Sequence, residues 1–294
     1  MHSLLPAFFA GLVQGIVEWL PVSSKTIIIL VFRASGQTNF AVNYVMGLLA
    51  NFGSFFAALA YFRKDIFSAL RGLRAPFADT VDSLKLRYLF FATLATGVIG
   101  VPIYLVVRHT FARSSGTVAM VIIGLLLLVT SFVNLRREKL AAAKAPVVSQ
   151  PGDLPSLAGI NEEDDKSQIP RTGTSIIVGL LQGFAALPGI SRSAMTVTPL
   201  LLKGLSPKEA LRFSFLLDVV ALLGAGVVPL VIGKGGLSAV NQIGILPVVV
   251  MIVVAAIVSF LMIGTVLRFA ARLRGSVATF IIGAVTLVAA LVVK

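Results

Sequence analysis

Gly179 to Thr196, GLLQGFAALPGISRSAMT, is apolar enough for a membrane segment until Pro188 and Gly189 interrupt it. A Pro-Gly pair breaks a helix because proline removes a backbone donor and glycine loosens the chain. We therefore expect a short helix, a turn over residues 187–190, and a second helix that begins near Ser191.

The start of this second helix combines three kinds of group that bind anions. Ser191 and Ser193 supply hydroxyls, Arg192 supplies a guanidinium, and a helix start supplies free N–H groups. An arginine at membrane depth costs about 2.5–3.5 kcal/mol, so it needs a partner or water. The sequence therefore predicts an anion site; the alternative is an arginine that snorkels to the membrane surface.

A similar segment lies near the N-terminus, where residues 11–25 are GLVQGIVEWLPVSSK. Both segments contain G-L-x-Q-G, then a proline six or seven residues after the glutamine, then x-x-Ser. The alignment pairs Gln14 with Gln182, Pro21 with Pro188, and residues 23–25 with residues 191–193. The pattern predicts a duplicated unit, with chance similarity of two apolar stretches as the alternative.

The composition indicates a polytopic membrane protein. Hydrophobic residues make up 57% of the 294 residues and charged residues 13%, which is outside the soluble range. The absence of cysteine excludes disulfides and thiolate sites, and the two histidines do not suggest a metal centre. The net charge of +13 lies mostly in loops between apolar runs, which indicates membrane orientation and not nucleic-acid binding.

Six apolar runs are long enough to span a bilayer: residues 40–62, 86–108, 117–135, 211–232, 244–267 and 276–293. The duplicated segments, residues 3–32 and 173–202, are broken in the middle and are predicted to be re-entrant helix-turn-helix pairs. We therefore expect an all-α integral membrane protein with six transmembrane helices and two re-entrant segments. An odd number of spans per repeat makes the repeat inverted.

The domain prediction is repeat 1 over residues 1–135, a linker over 136–172, and repeat 2 over 173–294. The linker is rich in proline, glycine and charge, and most of the 25 Lys and Arg residues share its side of the membrane. That side is assigned to the cytoplasm. We expect a plasma-membrane protein with both termini outside the cell.

Glu18 and Asp218 are the carboxylates that the sequence places within membrane segments. Gln14 and Glu18 are four residues apart and so share one helix face. Glu18 is either a functional carboxylate or a structural ion-pair partner of Arg192 or Lys25. Asp218, four residues after Ser214, either completes a polar cavity or pairs with a cation from another segment.

The two broken segments enter from opposite faces, so their tips are expected to meet near the midplane. The candidate site is Gln14, Glu18, Ser23, Ser24, Lys25, Gln182, Ser191, Arg192, Ser193, Thr196 and Asp218. Two cations and two helix starts suit a diphosphate, while a carboxylate holds a divalent cation or accepts a proton. An anion at membrane depth implies a lipid-linked one.

Two motifs in this set resemble those of a known family. QGIVEWLPVSS (residues 14–24) and PGISRSAMT (188–196) are similar to the signatures of undecaprenyl-diphosphatases of the bacitracin-resistance type. Residues 51–66 and 201–217 extend the resemblance over nearly the whole chain. It implies a membrane phosphatase that removes the terminal phosphate of a polyprenyl diphosphate at the outer face, for lipid-carrier recycling.

The resemblance also implies roles for individual residues. Arg192 would clamp the phosphates with Ser193, and Ser24 or water would attack. Glu18 with Gln14 would hold Mg²⁺ or Ca²⁺ or supply the base. The remaining candidates are substrate-binding: Ser23, Lys25, Gln182, Ser191, Thr196 and Asp218.

A transporter or flippase of polyprenyl phosphate is the alternative function, because inverted repeats with broken helices also build carriers. An inactive homologue is a third. The expected partners are the lipid and the membrane, with a homodimer left open and no nucleic acid.

The chain departs from the bacterial pattern at several positions. Ile27 stands at the position of the family's histidine, and Lys25 enters the same motif. Asn51, Ala194 and Val220 stand where the family often has His, Gly and Pro. These differences suggest a divergent branch of the archaeal kind and leave the polyprenyl chain length open.

Overall fold

The computed structural model describes residues 4–292 except 38, 114–115, 145–165, 167 and 233–234. These residues form α-helices and short 3₁₀ turns, without strands. The helices are α1 Leu4–Val17, α2 Ser24–Ala34, α3 Phe40–Leu49, α4 Asn51–Tyr61, α5 Arg63–Arg71, α6 Val81–Arg113, α7 Gly116–Ala143, α8 Thr172–Gly183, α9 Arg192–Leu202, α10 Pro207–Val231, α11 Gly235–Ile243, α12 Ile245–Arg268 and α13 Ser276–Val292.

Five segments of the described chain are long and apolar enough to cross a membrane: Phe40–Tyr61, Val81–Thr110, Thr117–Ala143, Pro207–Val231 and Ile245–Arg268. The chain is thus an all-helical membrane protein, as predicted. The first of the five is made of α3 and α4, which adjoin at Ala50. The sixth predicted span corresponds to α13, which has 17 residues.

Two long helices extend beyond the predicted spans. α6 begins before Lys85 and α7 continues past Arg136 to Ala143, so the helix does not end at residue 135 as the apolar run does. Arg, Glu and Lys are good helix formers, and the backbone hydrogen bonds continue where the hydrophobicity stops. Most of the predicted linker, residues 145–165 and 167, lies outside the described residues.

The duplicated segments form two hairpins of short helices. α1 has 14 residues, α2 and α9 have 11 and α8 has 12, so each is at most about 21 Å long, less than the ~30 Å of a bilayer core. The second hairpin turns at Pro188-Gly189, as predicted. Gly189 has φ +101°, a conformation that favours glycine, and an added Cβ would lie 2.8 Å from Ile123 O.

Each hairpin packs against a long helix of the other half of the chain. α1 lies along α12, and α8 lies along α6. The glycines of G-L-x-Q-G make these contacts: a Cβ on Gly15 would lie 2.5 Å from Val258 Cβ, and one on Gly183 would lie 2.5 Å from Ile99 Cβ. The motif is thus a small-x-x-x-small helix-packing motif around a central glutamine.

α10 anchors the first turn and joins α6 at one end. Trp19, fully buried, packs edge-on against Phe215 with ring centroids 4.9 Å apart. Tyr88 OH donates to Phe213 O at 2.9 Å. Nearby, Asp65 Oδ1 lies 2.9 Å from both Lys85 Nζ and Arg212 Nη2. The N-terminal ends of α6 and α10 are therefore closed against each other.

Candidate active site

The turns of the two hairpins touch each other and exchange hydrogen bonds. The Gly189 amide in the second turn donates to Ser23 Oγ at 3.2 Å. In return, Ser193 Oγ at the start of α9 donates to Leu20 O in the first turn at 3.0 Å. The structure therefore brings the two predicted tips together inside the bundle.

One long helix supports both turns. On α7, Thr130 Oγ1 donates to Gly189 O at 2.7 Å and accepts from the Ser191 amide at 3.3 Å. One turn further along, Asn134 Nδ2 donates to Pro21 O at 2.5 Å. Neither residue was predicted from the sequence, although two polar residues spaced four apart within an apolar run are a usable signal.

Glu18 lies at the centre of a buried polar cluster, just after α1. Gln14 Nε2 donates to Glu18 Oε2 at 2.9 Å, which confirms that the two residues share one helix face. Ser24 Oγ, at the start of α2, donates to the same carboxylate oxygen. Gln14 Nε2 also lies 3.0 Å from Asn51 Oδ1 and 3.1 Å from Ser54 Oγ. Glu18 is thus held between an amide and a hydroxyl.

Arg192 lies between the two membrane carboxylates. Its Nη2 is 2.6 Å from Asp218 Oδ2 and 3.1 Å from Glu18 Oε1, as charge contacts that are not aligned as hydrogen bonds. Its Nε and Nη1 have no hydrogen-bond acceptor among the described residues, although the side chain is only 9% exposed. Both carboxylates are therefore ion-paired to this arginine, and two of its three nitrogen donors are uncommitted.

A cavity of about 180 Å³ adjoins this cluster. It is largely apolar and lies between α6 and α10, with Lys25, Gln182 and Arg192 on its wall. Gln182 Nε2 donates to Thr96 Oγ1 of α6 at 2.9 Å, and its Oε1 is buried without a donor in the described chain. Lys25 lies within electrostatic range of Glu18, Arg192 and Asp218. One end of the cavity is thus lined by cations, and the rest forms an apolar channel.

The other candidate hydroxyls are engaged in the scaffold and do not line the cavity. Ser191 caps α9 by accepting from the Ala194 amide at 3.5 Å. Thr196 Oγ1 lies 2.5 Å from Ser214 Oγ, and Ser23 and Ser193 join the two turns. All four are buried. Direct substrate binding by these residues stays a prediction.

Glu18 and Gln14 carry oxygen atoms of the kind that a divalent cation binds. The described residues contain no cluster of three or more His, Asp or Glu side chains, so a cation here would rely on few carboxylates. Gln14 Oε1 is buried without a hydrogen-bond donor among the described residues, and the Nε2 of the same amide donates to Glu18. Mg²⁺ in particular is commonly bound through one or two carboxylates, with substrate phosphates and water completing the shell.

Short hairpins that meet around a buried arginine, within a bundle of apolar spans, define a polytopic membrane protein with a charged site in its interior. Comparison of the sequence with known families identifies the class of membrane protein more closely. The chain belongs to the family of bacitracin resistance protein BacA, whose profile matches residues 7–290.

Curated relatives are similar over nearly their whole length. The chain is 34% identical over 289 residues to an undecaprenyl-diphosphatase of Sulfurisphaera tokodaii, covering 97% of each chain. It is 33% identical to one of Saccharolobus solfataricus, covering 98% of this chain and 96% of the relative. A third undecaprenyl-diphosphatase, of Haloarcula marismortui, is 34% identical over 272 residues, covering 91% of this chain and 90% of the relative. The family resemblance is confirmed, and the relatives include archaeal proteins, as predicted.

Proposed function

We propose that the chain is a membrane phosphatase that hydrolyses undecaprenyl-type diphosphate to the monophosphate and phosphate. Family membership and the names of the relatives support this activity. The observation that carries it is the pair of uncommitted donors Nε and Nη1 of Arg192, a residue on the cavity wall and beside the Glu18–Ser24 pair. Guanidinium N–H groups make strong charge-assisted hydrogen bonds to phosphoryl oxygens.

In this proposal Ser24 or a water molecule attacks the terminal phosphorus. Ser24 Oγ already donates to Glu18, so the carboxylate is placed to accept the proton as the new P–O bond forms. The bridging P–O bond breaks, and the polyprenyl monophosphate leaves. Attack by Ser24 would require water to cleave the phosphoserine in a second step. Arg192 stabilises the charge on the non-bridging oxygens.

Gln14 and Glu18 are the residues that we propose hold Mg²⁺ or Ca²⁺. A bound cation would neutralise phosphate charge at the site. Asn51, at a position where the family often has histidine, accepts from Gln14 Nε2 at 3.0 Å and so steadies this amide. The other residues proposed to bind substrate directly are Lys25 and Gln182 on the cavity wall, with the prenyl chain in the apolar channel.

The proposed catalytic groups are present although the chain lacks the family's histidine. Ile27 occupies its position, and the described histidine, His109, lines a different cavity with Arg108. Ser24, Glu18 and Arg192 nevertheless lie in direct contact. We infer that the carboxylate takes the role of base here.

We also propose an inverted repeat with an outward-facing site. α1 follows α12 from its N-terminal end, and α8 follows α6 from its N-terminal end. The charge distribution assigns these two starting ends to opposite faces of the membrane. The cavity lies beyond the closed ends of α6 and α10, near Tyr104 and Val228, which favours access from outside. Both termini would then lie outside the cell, and a homodimer stays a prediction.

Phosphate release from a C55 diphosphate by detergent-purified protein tests the proposal. We expect turnover that depends on a divalent cation and is abolished by a chelator. Lipid flux in proteoliposomes without phosphate release would instead favour the carrier alternative, for which the comparisons offer no support.

A further inference from the structure

The three nitrogen atoms of the Arg192 guanidinium have different environments. Nη2 contacts both Asp218 Oδ2 and Glu18 Oε1, whereas Nε and Nη1 contact no acceptor in the described chain. The guanidinium is a rigid planar group on a side chain with several rotatable bonds, so a contact that fixes Nη2 also restricts where the other donors point. The group that fixes it therefore determines where the phosphate is held.

Asp218 and Glu18 differ in what else they contact. Glu18 accepts from Gln14 and Ser24, so it is connected to the attacking group. Asp218 is fully buried on α10, is not part of the cavity wall, and has no hydrogen-bond donor among the described residues. A buried carboxylate requires a partner to offset its desolvation, and Arg192 is the ion-pair partner that the described chain shows. The ion pair with Arg192 therefore accounts for a carboxylate at this buried position.

The charges of the cluster also cancel. Glu18 and Asp218 are balanced by Lys25 and Arg192, all within electrostatic range of one another. The sequence predicts Asp218 as a substrate-binding residue; because a charged carboxylate repels phosphate, its contribution is better explained through Arg192 than by direct contact. Without Asp218, Arg192 would have Glu18 as its remaining carboxylate partner and would compete with Ser24 for it.

We propose that Asp218 is a positioning residue, which holds Nη2 of Arg192 so that the Nε and Nη1 donors stay free for the phosphate and Glu18 stays with Ser24. This inference rests on the proposed function for the identity of the anion. Under this proposal the two carboxylates that pair with Arg192 have different roles: Glu18 takes part in the chemistry, and Asp218 acts through Arg192.

A thermal-unfolding cycle tests the pairing without needing activity. Arg192→Ala should lower the unfolding midpoint by roughly 5 °C or more, because it leaves Asp218 buried and unpaired. Asp218→Asn should lower it less, and the double variant should regain at least half of the Arg192→Ala loss. If Arg192→Ala cannot be purified, recovery of folded protein in the double variant gives the same answer. Additive effects would overturn the inference.

Kinetics separate positioning from simple stabilisation. Asp218→Asn should lower kcat about 10- to 100-fold, the scale of a ~1 Å misplacement, while KM stays the same or falls because the site gains positive charge. Asp65→Asn is the matched control: this carboxylate also bridges two cations, but it lies away from the cavity, and kcat should be retained. Wild-type kcat in folded Asp218→Asn would overturn the inference, whereas absence of phosphate release from the wild type would overturn the proposed function instead.

Discussion

Arg192 is the residue at which shape matters as much as charge. Its free Nε and Nη1 atoms are donors fixed in direction by one planar group, and a lysine ammonium cannot reproduce these directions while also contacting two carboxylates. Lys25 already supplies a point charge on the same cavity wall. The two cations are therefore not interchangeable.

Arg192→Lys should lose about 100-fold or more in kcat/KM despite keeping the charge, on the scale of removing one oxyanion-stabilising group. Phosphate release from the lipid diphosphate measures this loss. Arg108→Lys is the control, because Arg108 donates to Ile232 O and lies outside this cavity. Near-normal turnover in Arg192→Lys would rule out a role for the directed guanidinium donors.

Glu18→Gln keeps the shape of the side chain but removes the charge that attracts a cation or accepts a proton. We expect cation-dependent hydrolysis to fall by at least ~100-fold, the lower range for loss of an acid-base group. The comparison variant is Glu209→Gln, whose carboxylate pairs with Arg212 on the same helix. Retained activity in Glu18→Gln would exclude both the metal role and the base role.

At this scale the sequence identified the members of the buried polar cluster better than their contacts. Polar and charged residues in apolar segments identified Gln14, Glu18, Arg192 and Asp218, because burial of such groups in a membrane is rare. The sequence could not show that the hydroxyls of Ser23 and Ser193 join the two turns. Nor could it show that Thr130 and Asn134 hold these turns. Those contacts depend on which helices become neighbours, and residue spacing alone carries no such information.

The helical hairpins depend on glycine for their close packing. Gly179 of α8 faces the Ala92 backbone, where an added Cβ would overlap the main chain, whereas Gly173 of the same helix faces open space. The sequence pattern identified the repeat of these glycines, and only the structure assigns their partners.

Gly179→Ala should therefore destabilise the protein by about 1–3 kcal/mol through overpacking. Gly173→Ala should be neutral or stabilise it by up to about 1 kcal/mol, because alanine is the better helix former. Unfolding in detergent with a denaturant series compares the two. Equal stability of the two variants would mean that α8 does not pack on α6 as described.

α6 and α10 together shape the cavity, and glycine provides its width. A Cβ at Gly97 of α6 would meet nothing within 4 Å, although the residue lies on the cavity wall. Gly97→Leu should fill the channel and raise KM for a long-chain lipid diphosphate by about tenfold or more, the scale of a loss of ~1.4 kcal/mol in binding. Unfolding stability should be nearly unchanged. Unaltered KM would place the prenyl chain elsewhere.

At the scale of the whole molecule, we predict the sidedness of the site from the charge distribution and from the closed ends of α6 and α10. The chain has no cysteine, so single cysteines can be introduced cleanly. Ser35→Cys and Ser238→Cys are exposed near the predicted outer face, and Ala75→Cys is exposed beside basic residues on the predicted inner face. An impermeant thiol reagent should label the first two in intact cells and not the third. The reverse pattern would place the site on the cytoplasmic side.

The crossed packing of the hairpins sets an order of events during synthesis. α1 leaves the ribosome first, yet its packing surface on α12 is made only when most of the chain is complete. At roughly 5–20 residues per second, the first hairpin has to wait on the order of ten seconds or longer in the bilayer. Glu18 is exposed to lipid or to an insertion factor during that interval, so newly made chains should be most vulnerable to membrane proteases before the second half arrives.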